Sequence, residues 1–264
     1  RPETTICRPY KFLFQLNLDQ PGRIGEAIDI LENWVQLQPH FVKKDFSREY
    51  LERTLITAKG LVERAKERLD KLCTFKTLMP EYFTVTNVKE EFGPLKGIFE
   101  YFLQAEYCTG FHIVLDYSES NILSFVTKVN PMELRQIITL MTEGYGCRIK
   151  GVHVISSSKM VDTLITLLKQ VFSAKLADRI HLHKTADSLT EYIPKEIMPA
   201  DYGGEEKSLM ELNKDWLEVI SSKEFLEYMK EMNKASTNES CRQADKFSEH
   251  YVGMPGSFRA LSVD

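Results

Sequence analysis

The stretch that settles the fold begins Ile149-Lys150-Gly151-Val152-His153-Val154-Ile155 and passes through Ser156-Ser157-Ser158. It continues as Lys159-Met160-Val161-Asp162-Thr163-Leu164-Ile165-Thr166-Leu167-Leu168-Lys169-Gln170-Val171-Phe172 and closes on Arg179-Ile180-His181-Leu182-His183. The first run is short, apolar and without a helical period, so it reads as a strand. In the second, Met160, Val161, Leu164, Ile165, Leu167, Leu168, Val171 and Phe172 share one broad arc of a helical wheel, with the polar residues on the rest. The third alternates and predicts another strand. Strand, helix and strand in succession imply parallel pairing with a helical crossover.

Working outward, Phe111-His112-Ile113-Val114-Leu115-Asp116 behind Gly110 predicts an earlier strand, and Asn130-Pro131 opens a helix over 132–142. Before residue 85 the reading is helical. Ile24, Ile28, Leu31, Val35 and Leu37 recur near a 3.6-residue period, followed by helices around 48–57 and 61–72. A further helix is expected over 209–232, and the tail from Ala235 reads as irregular. The class is α/β with a mostly parallel sheet. The chain divides into a helical part over 1–85, an α/β part over 86–235 and a C-terminal tail over 236–264.

Composition narrows the function. Apolar residues make up 43% of the 264 and charged ones 27%, as in ordinary globular proteins, and no run approaches the roughly 18 apolar residues of a membrane span. Arg1-Pro2-Glu3-Thr4-Thr5 lacks the apolar core of a signal peptide. Cys7, Cys73, Cys108, Cys147 and Cys241 are odd in number and scattered, which suits free thiols in a reducing, cytoplasmic setting. A net charge of −4 argues against a nucleic-acid partner.

No nucleophile elbow, phosphate loop or dinucleotide fingerprint is present, so no catalytic residue and no cofactor is expected. His181-x-His183 has metal-ligand spacing but no Cys or carboxylate beside it, so ordinary strand histidines are the simpler reading and no metal is expected. Ser156-Ser157-Ser158 suits capping better than nucleophilic chemistry, and Gly144-Tyr145-Gly146 suits a helix end. The amphipathic helix over 159–172 fits two uses, a helix packed on the sheet or a lid over a cavity, and periodicity does not separate them. Charge around it is uneven. Arg148, Lys150, Lys159, Lys169, Lys175, Arg179 and Lys184 face only Asp162 and Asp178 between 148 and 184. Arg148 and Lys150 would share a strand face, and Lys175 and Arg179 would be i,i+4 neighbours if the helix continues. Four converging cations suit a phosphorylated headgroup, at about 1 kcal/mol each near an anionic membrane; a solvated charged face is the alternative.

The segment from Gly144 to Ile155 resembles the central strand region of CRAL–TRIO lipid carriers. The likeness continues through Lys169, Lys175, Arg179-Ile180-His181-Leu182-His183, Ile193-Pro194-Lys195-Glu196-Ile197-Met198-Pro199 and Tyr202-Gly203-Gly204. Upstream, Gln38-Pro39-His40-Phe41 and Thr77-Leu78-Met79-Pro80-Glu81-Tyr82-Phe83 are similar to the insect branch, as is the ending at 256–264. Tyr117-Ser118-Glu119-Ser120-Asn121, Ser156-Ser157-Ser158 and Leu55-Ile56-Thr57-Ala58 depart from the family pattern.

The resemblance implies a helical N-terminal domain before an α/β domain whose sheet floors a lipid cavity under a mobile gate, here 159–172. Phe111, Ile113 and Leu115 would line the sheet side, Ile137, Leu140 and Met141 a neighbouring helix, and Met160, Leu164, Ile165, Leu168 and Phe172 the gate. Four basic residues that bind phosphoinositide in a tocopherol-carrying member align with Arg148, Lys150, Lys175 and Arg179. The implied protein is a monomeric carrier of one isoprenoid, such as a retinoid, tocopherol, carotenoid or juvenile hormone, docking transiently on phosphoinositide-containing membrane. A phosphoinositide-sensing interaction module without cargo is the alternative.

Overall fold

The computed structural model describes residues 22–83, 100–101 and 110–242. Helix α1 (Arg23–Leu37) turns Ala27, Ile28, Leu31 and Val35 inward, the stripe its apolar spacing predicts. Helix α2 (Arg48–Thr57) starts at Ser47, whose hydroxyl accepts the Tyr50 N–H at 3.2 Å. Helix α3 (Val62–Leu78) runs past the expected stop at Leu72, because Cys73 and Phe75 keep the buried stripe going for further turns.

The strands are β1 (Phe111–Asp116), β2 (Ile149–Ile155) and β3 (Ile180–His183), in spatial order β1-β2-β3 with both pairings parallel. Parallel neighbours need crossovers, and the helices supply them. Between β1 and β2 lie α4 (Ile122–Lys128) and α5 (Pro131–Thr139); between β2 and β3 lie α6 (Val161–Val171) and α7 (Ala174–Ala177). Asn121 caps α4 and Asn130 caps α5, with Pro131 in its first turn. One π-helical turn, Leu140–Gly144, prolongs α5 and brings Leu140 and Met141 into the core. Gly146 then takes a left-handed φ of 69°, the conformation a helix end favours for glycine.

After β3 the chain makes three 3-10 turns across 186–202. The single helix expected over 209–232 is two, α8 (Leu209–Ile220) and α9 (Lys223–Met232). Ser221-Ser222 breaks it: the Ser222 hydroxyl accepts the Phe225 N–H at 3.2 Å and starts a new first turn.

One apolar cluster takes in α1–α3, the strands and α6. The expected tail begins irregular but is tied down, with Phe41 bridged to Thr237 and the Asn238 N–H on the His40 carbonyl at 2.7 Å. Among the described residues no disulfide joins Cys73, Cys147 and Cys241. No helix among the described residues is long and apolar enough to cross a membrane. Cys7, Cys108, the N-terminal stretch, the expected boundary at 85/86 and the family-like ending at 256–264 lie outside the described residues.

Candidate functional site

Strand alternation sends Phe111, Ile113 and Leu115 to the face covered by α5 and α6, and Val114 to the other. On the covered face Leu140, Met141, Leu164, Leu168 and Phe172 are buried, and the half-buried Phe111, Ile113, Leu115, Ile137 and Ile165 pack in the same cluster. Ten of the eleven expected lining residues are thus together. Met160 is not among them; it precedes α6 and stays 39% exposed. An open groove of about 450 Å³ lies on the other flank of α6, lined by Val126, Asp162, Thr163, Thr166, Leu167 and Gln170. Arg135 on α5 donates to the Gln170 carbonyl at 2.9 Å and holds α6 near its C-terminal end.

The cations gather elsewhere, by routes the sequence did not give. Arg148 stands one residue before β2, where its carbonyl accepts the Phe111 N–H at 2.8 Å, and its Nη2 donates to the Thr57 carbonyl at the end of α2 at 3.1 Å. Helix α7 stops at Ala177, so Lys175 and Arg179 are not successive turns of one helix; Arg179 Nη1 instead donates to the Ile149 carbonyl beside β2. Loops, not regular spacing, bring Arg148, Lys150 and Lys175 around Lys59, while Arg179 is held at the Ile149 carbonyl.

Three further cations come from the helical half. Lys59, at a left-handed φ of 63°, has its ammonium pKa pushed down, chiefly by Arg148 and also by burial, Arg64, Lys175 and Lys150. Arg68 is pushed down to about 10, first by burial and then by Arg64 and Arg148. Its guanidinium lies against Gly146, where an added Cβ would sit 2.5 Å from Nη1. Like charges so crowded destabilise one another, and an anion among them relieves this. Sequence reasoning missed Lys59, Arg64 and Arg68 because they stand some 80 residues before Arg148. The one local signal was Arg64 and Arg68 at i,i+4 on α3.

His181 and His183 join a set of rings on the opposite face of the sheet. His153 stacks on His181 with centroids 5.1 Å apart, and its Nδ1 is 3.0 Å from His183 Nε2. Among the described residues no group of three or more His, Cys, Asp or Glu is arranged to hold a metal.

A parallel three-stranded sheet with helices on one face, preceded by helices α1 to α3 among the described residues, agrees with a family match: the CRAL/TRIO domain model covers residues 61–204, more than half of the chain. The chain belongs to the CRAL/TRIO family. It is similar to the alpha-tocopherol transfer protein-like proteins of Homo sapiens, at 30% identity over 96 residues, and Mus musculus, at 29% over 96 residues. The matched stretch is 36% of this chain and 28% of either relative's length. The CRAL/TRIO match includes Arg64, Arg68, Arg148, Lys150, Lys175 and Arg179, while Lys59 lies two residues before it.

Proposed function

We propose that this chain is a carrier that holds one small apolar lipid between β1, α5 and α6 and exchanges it at membranes bearing phosphoinositides. The observation that carries this reading is the meeting of cations from both halves of the molecule, Lys59, Arg64 and Arg68 with Arg148, Lys150 and Lys175. Such a cluster suits a multiply charged phosphate headgroup, with guanidiniums able to grip it bidentately. The strongly amphipathic α6 ends three residues before α7, which bears Lys175, so headgroup contact and gate movement fall on one short stretch of chain. On this reading, entry of a guest parts α6 from β1 and α5. An isoprenoid that buries about 400 Å² of apolar surface gains on the order of 10 kcal/mol before ordering costs, which offsets that parting. Membership of the CRAL/TRIO family and similarity to relatives named for tocopherol transfer support a lipid guest. The guest on this reading is an isoprenoid of the size of a retinoid, tocopherol, carotenoid or juvenile hormone, carried by a monomer in the cytoplasm.

A second reading, a phosphoinositide-sensing module with no cargo, needs only the cation cluster. Organic extraction of the purified protein followed by mass spectrometry separates the two. One apolar molecule per chain is expected. A chain that extracts empty, takes up no fluorescent retinoid and still binds phosphoinositide vesicles is the module instead.

A further inference from the structure

Four of the six histidines lie together on the sheet face away from α5 and α6. Three are linked in a line across the strands. His112 Nδ1 on β1 is 2.9 Å from His153 Nε2 on β2, His153 Nδ1 is 3.0 Å from His183 Nε2 on β3, and His183 Nδ1 is 2.6 Å from the Ser188 hydroxyl. Gly151 makes room for the line, since a Cβ there would stand 2.7 Å from His153 Nε2 and 3.0 Å from His112 Nδ1. Ser188 belongs to the 3-10 turns of 186–202. The same segment sets Tyr192 against His181 at 4.4 Å and against His153 at 5.0 Å between ring centroids.

A neutral imidazole carries one donor and one acceptor, so one proton per ring closes every link in either direction. Each added proton turns an acceptor into a donor, and once protons outnumber acceptors two N–H groups face each other and a link fails. The surroundings disfavour even the first such charge on the middle ring, because His153 is 0% exposed. The titratable groups that face it are His112 on β1, His181 and His183 on β3, and Tyr192 on the turn segment. Lys150 adds its charge near His112, and Glu191 places an anion near His183.

We propose that this imidazole line is an acid-sensitive latch that fastens the 186–202 segment to the under-face of the sheet at neutral pH and loosens it on acidification. Apolar contacts of Leu189, Ile193 and Met198 with Ile155 and the Tyr202–Asp116 hydrogen bond remain, so the segment loosens before the molecule unfolds. The direction follows from linkage. Burial, then His112, His183 and His181, lower the His153 pKa from its ordinary 6.5 to about 4, and burial first also lowers those of His112 and His183. The loosened state therefore binds more protons than the latched one, so latching is full above about pH 6.5 and is lost as pH falls towards about 4.

Hydrogen exchange on the whole chain tests this, with the Tyr192 and Ile193 amides, both bonded to the Leu189 carbonyl, as reporters. From about pH 7.5 to about pH 5, after correction for intrinsic exchange, their opening should rise roughly 30-fold on account of His153 alone, while α3 amides change far less. Imidazole nitrogen-15 shifts of the unaltered protein should show His153 still neutral at about pH 5.5. Titration of His153 near 6.5, or equal loss of protection in α3 and the segment, overturns the latch. His153→Gln keeps a donor and an acceptor but does not titrate; if it folds, an undiminished acid response overturns the latch as well.

Discussion

Arg242 shows what a single residue holds. Its Nη1 and Nη2 meet the two Asp70 oxygens at 2.7 and 3.0 Å, and His40 Nε2 approaches the same carboxylate at 3.0 Å. Both charged side chains are less than a tenth exposed. Arg242→Ala leaves that carboxylate buried with much of its compensation gone, and is expected to cost about 3–5 kcal/mol, read as a lowered urea midpoint with an unchanged slope. Nothing near Arg242 in the sequence announces this partnership, since Asp70 lies 172 positions away. Lys59 was illegible for the same reason: chemistry built from distant residues leaves no local period. Arg148, Lys150, Lys175 and Arg179 were legible as residues through the family likeness, but the loops that place them were not.

At the scale of elements, strands and the main amphipathic helix could be read because burial on one side imposes a rhythm. Residues 111–116 and 149–155 emerge with the expected bounds, and α6 keeps its apolar arc with Val161, Leu164, Leu168 and Val171 buried. Helix α4 escaped notice because seven residues and one buried side chain, Ile122, give too few repeats to define a period. The break between α8 and α9 escaped because a serine hydroxyl caps a new turn without interrupting the apolar spacing. The arc on α6 also overstated its buried width, as Leu167 lines the outer groove. Leu164→Ala, at a fully buried position, is therefore expected to cost about 2–5 kcal/mol, whereas Thr166→Ala on the groove side changes stability by about 0.5 kcal/mol or less, both read by urea unfolding.

For the whole molecule, the cation cluster joins what the sequence divides, since Arg148 reaches from the sheet to the end of α2. Arg148 and Arg179 also bond backbone carbonyls, so a test of charge alone uses the exposed lysines. Lys59, Lys150 and Lys175 all changed to Ala should weaken binding to phosphoinositide vesicles roughly a hundredfold, at about 1 kcal/mol for each, with unfolding midpoints held. High salt should shrink the difference between the two proteins. Sedimentation with vesicles measures both, and equal binding by the variant removes the headgroup site. Phe111, Ile113, Leu115, Ile137 and Ile165 stay half-buried beside the fully buried Leu164 and Leu168. Apolar surface that is only partly covered keeps some of its hydrophobic driving force in reserve, and a guest that completes the covering gains it. Retention would then follow how well a molecule's outline finishes that incomplete wall, more than its greasiness.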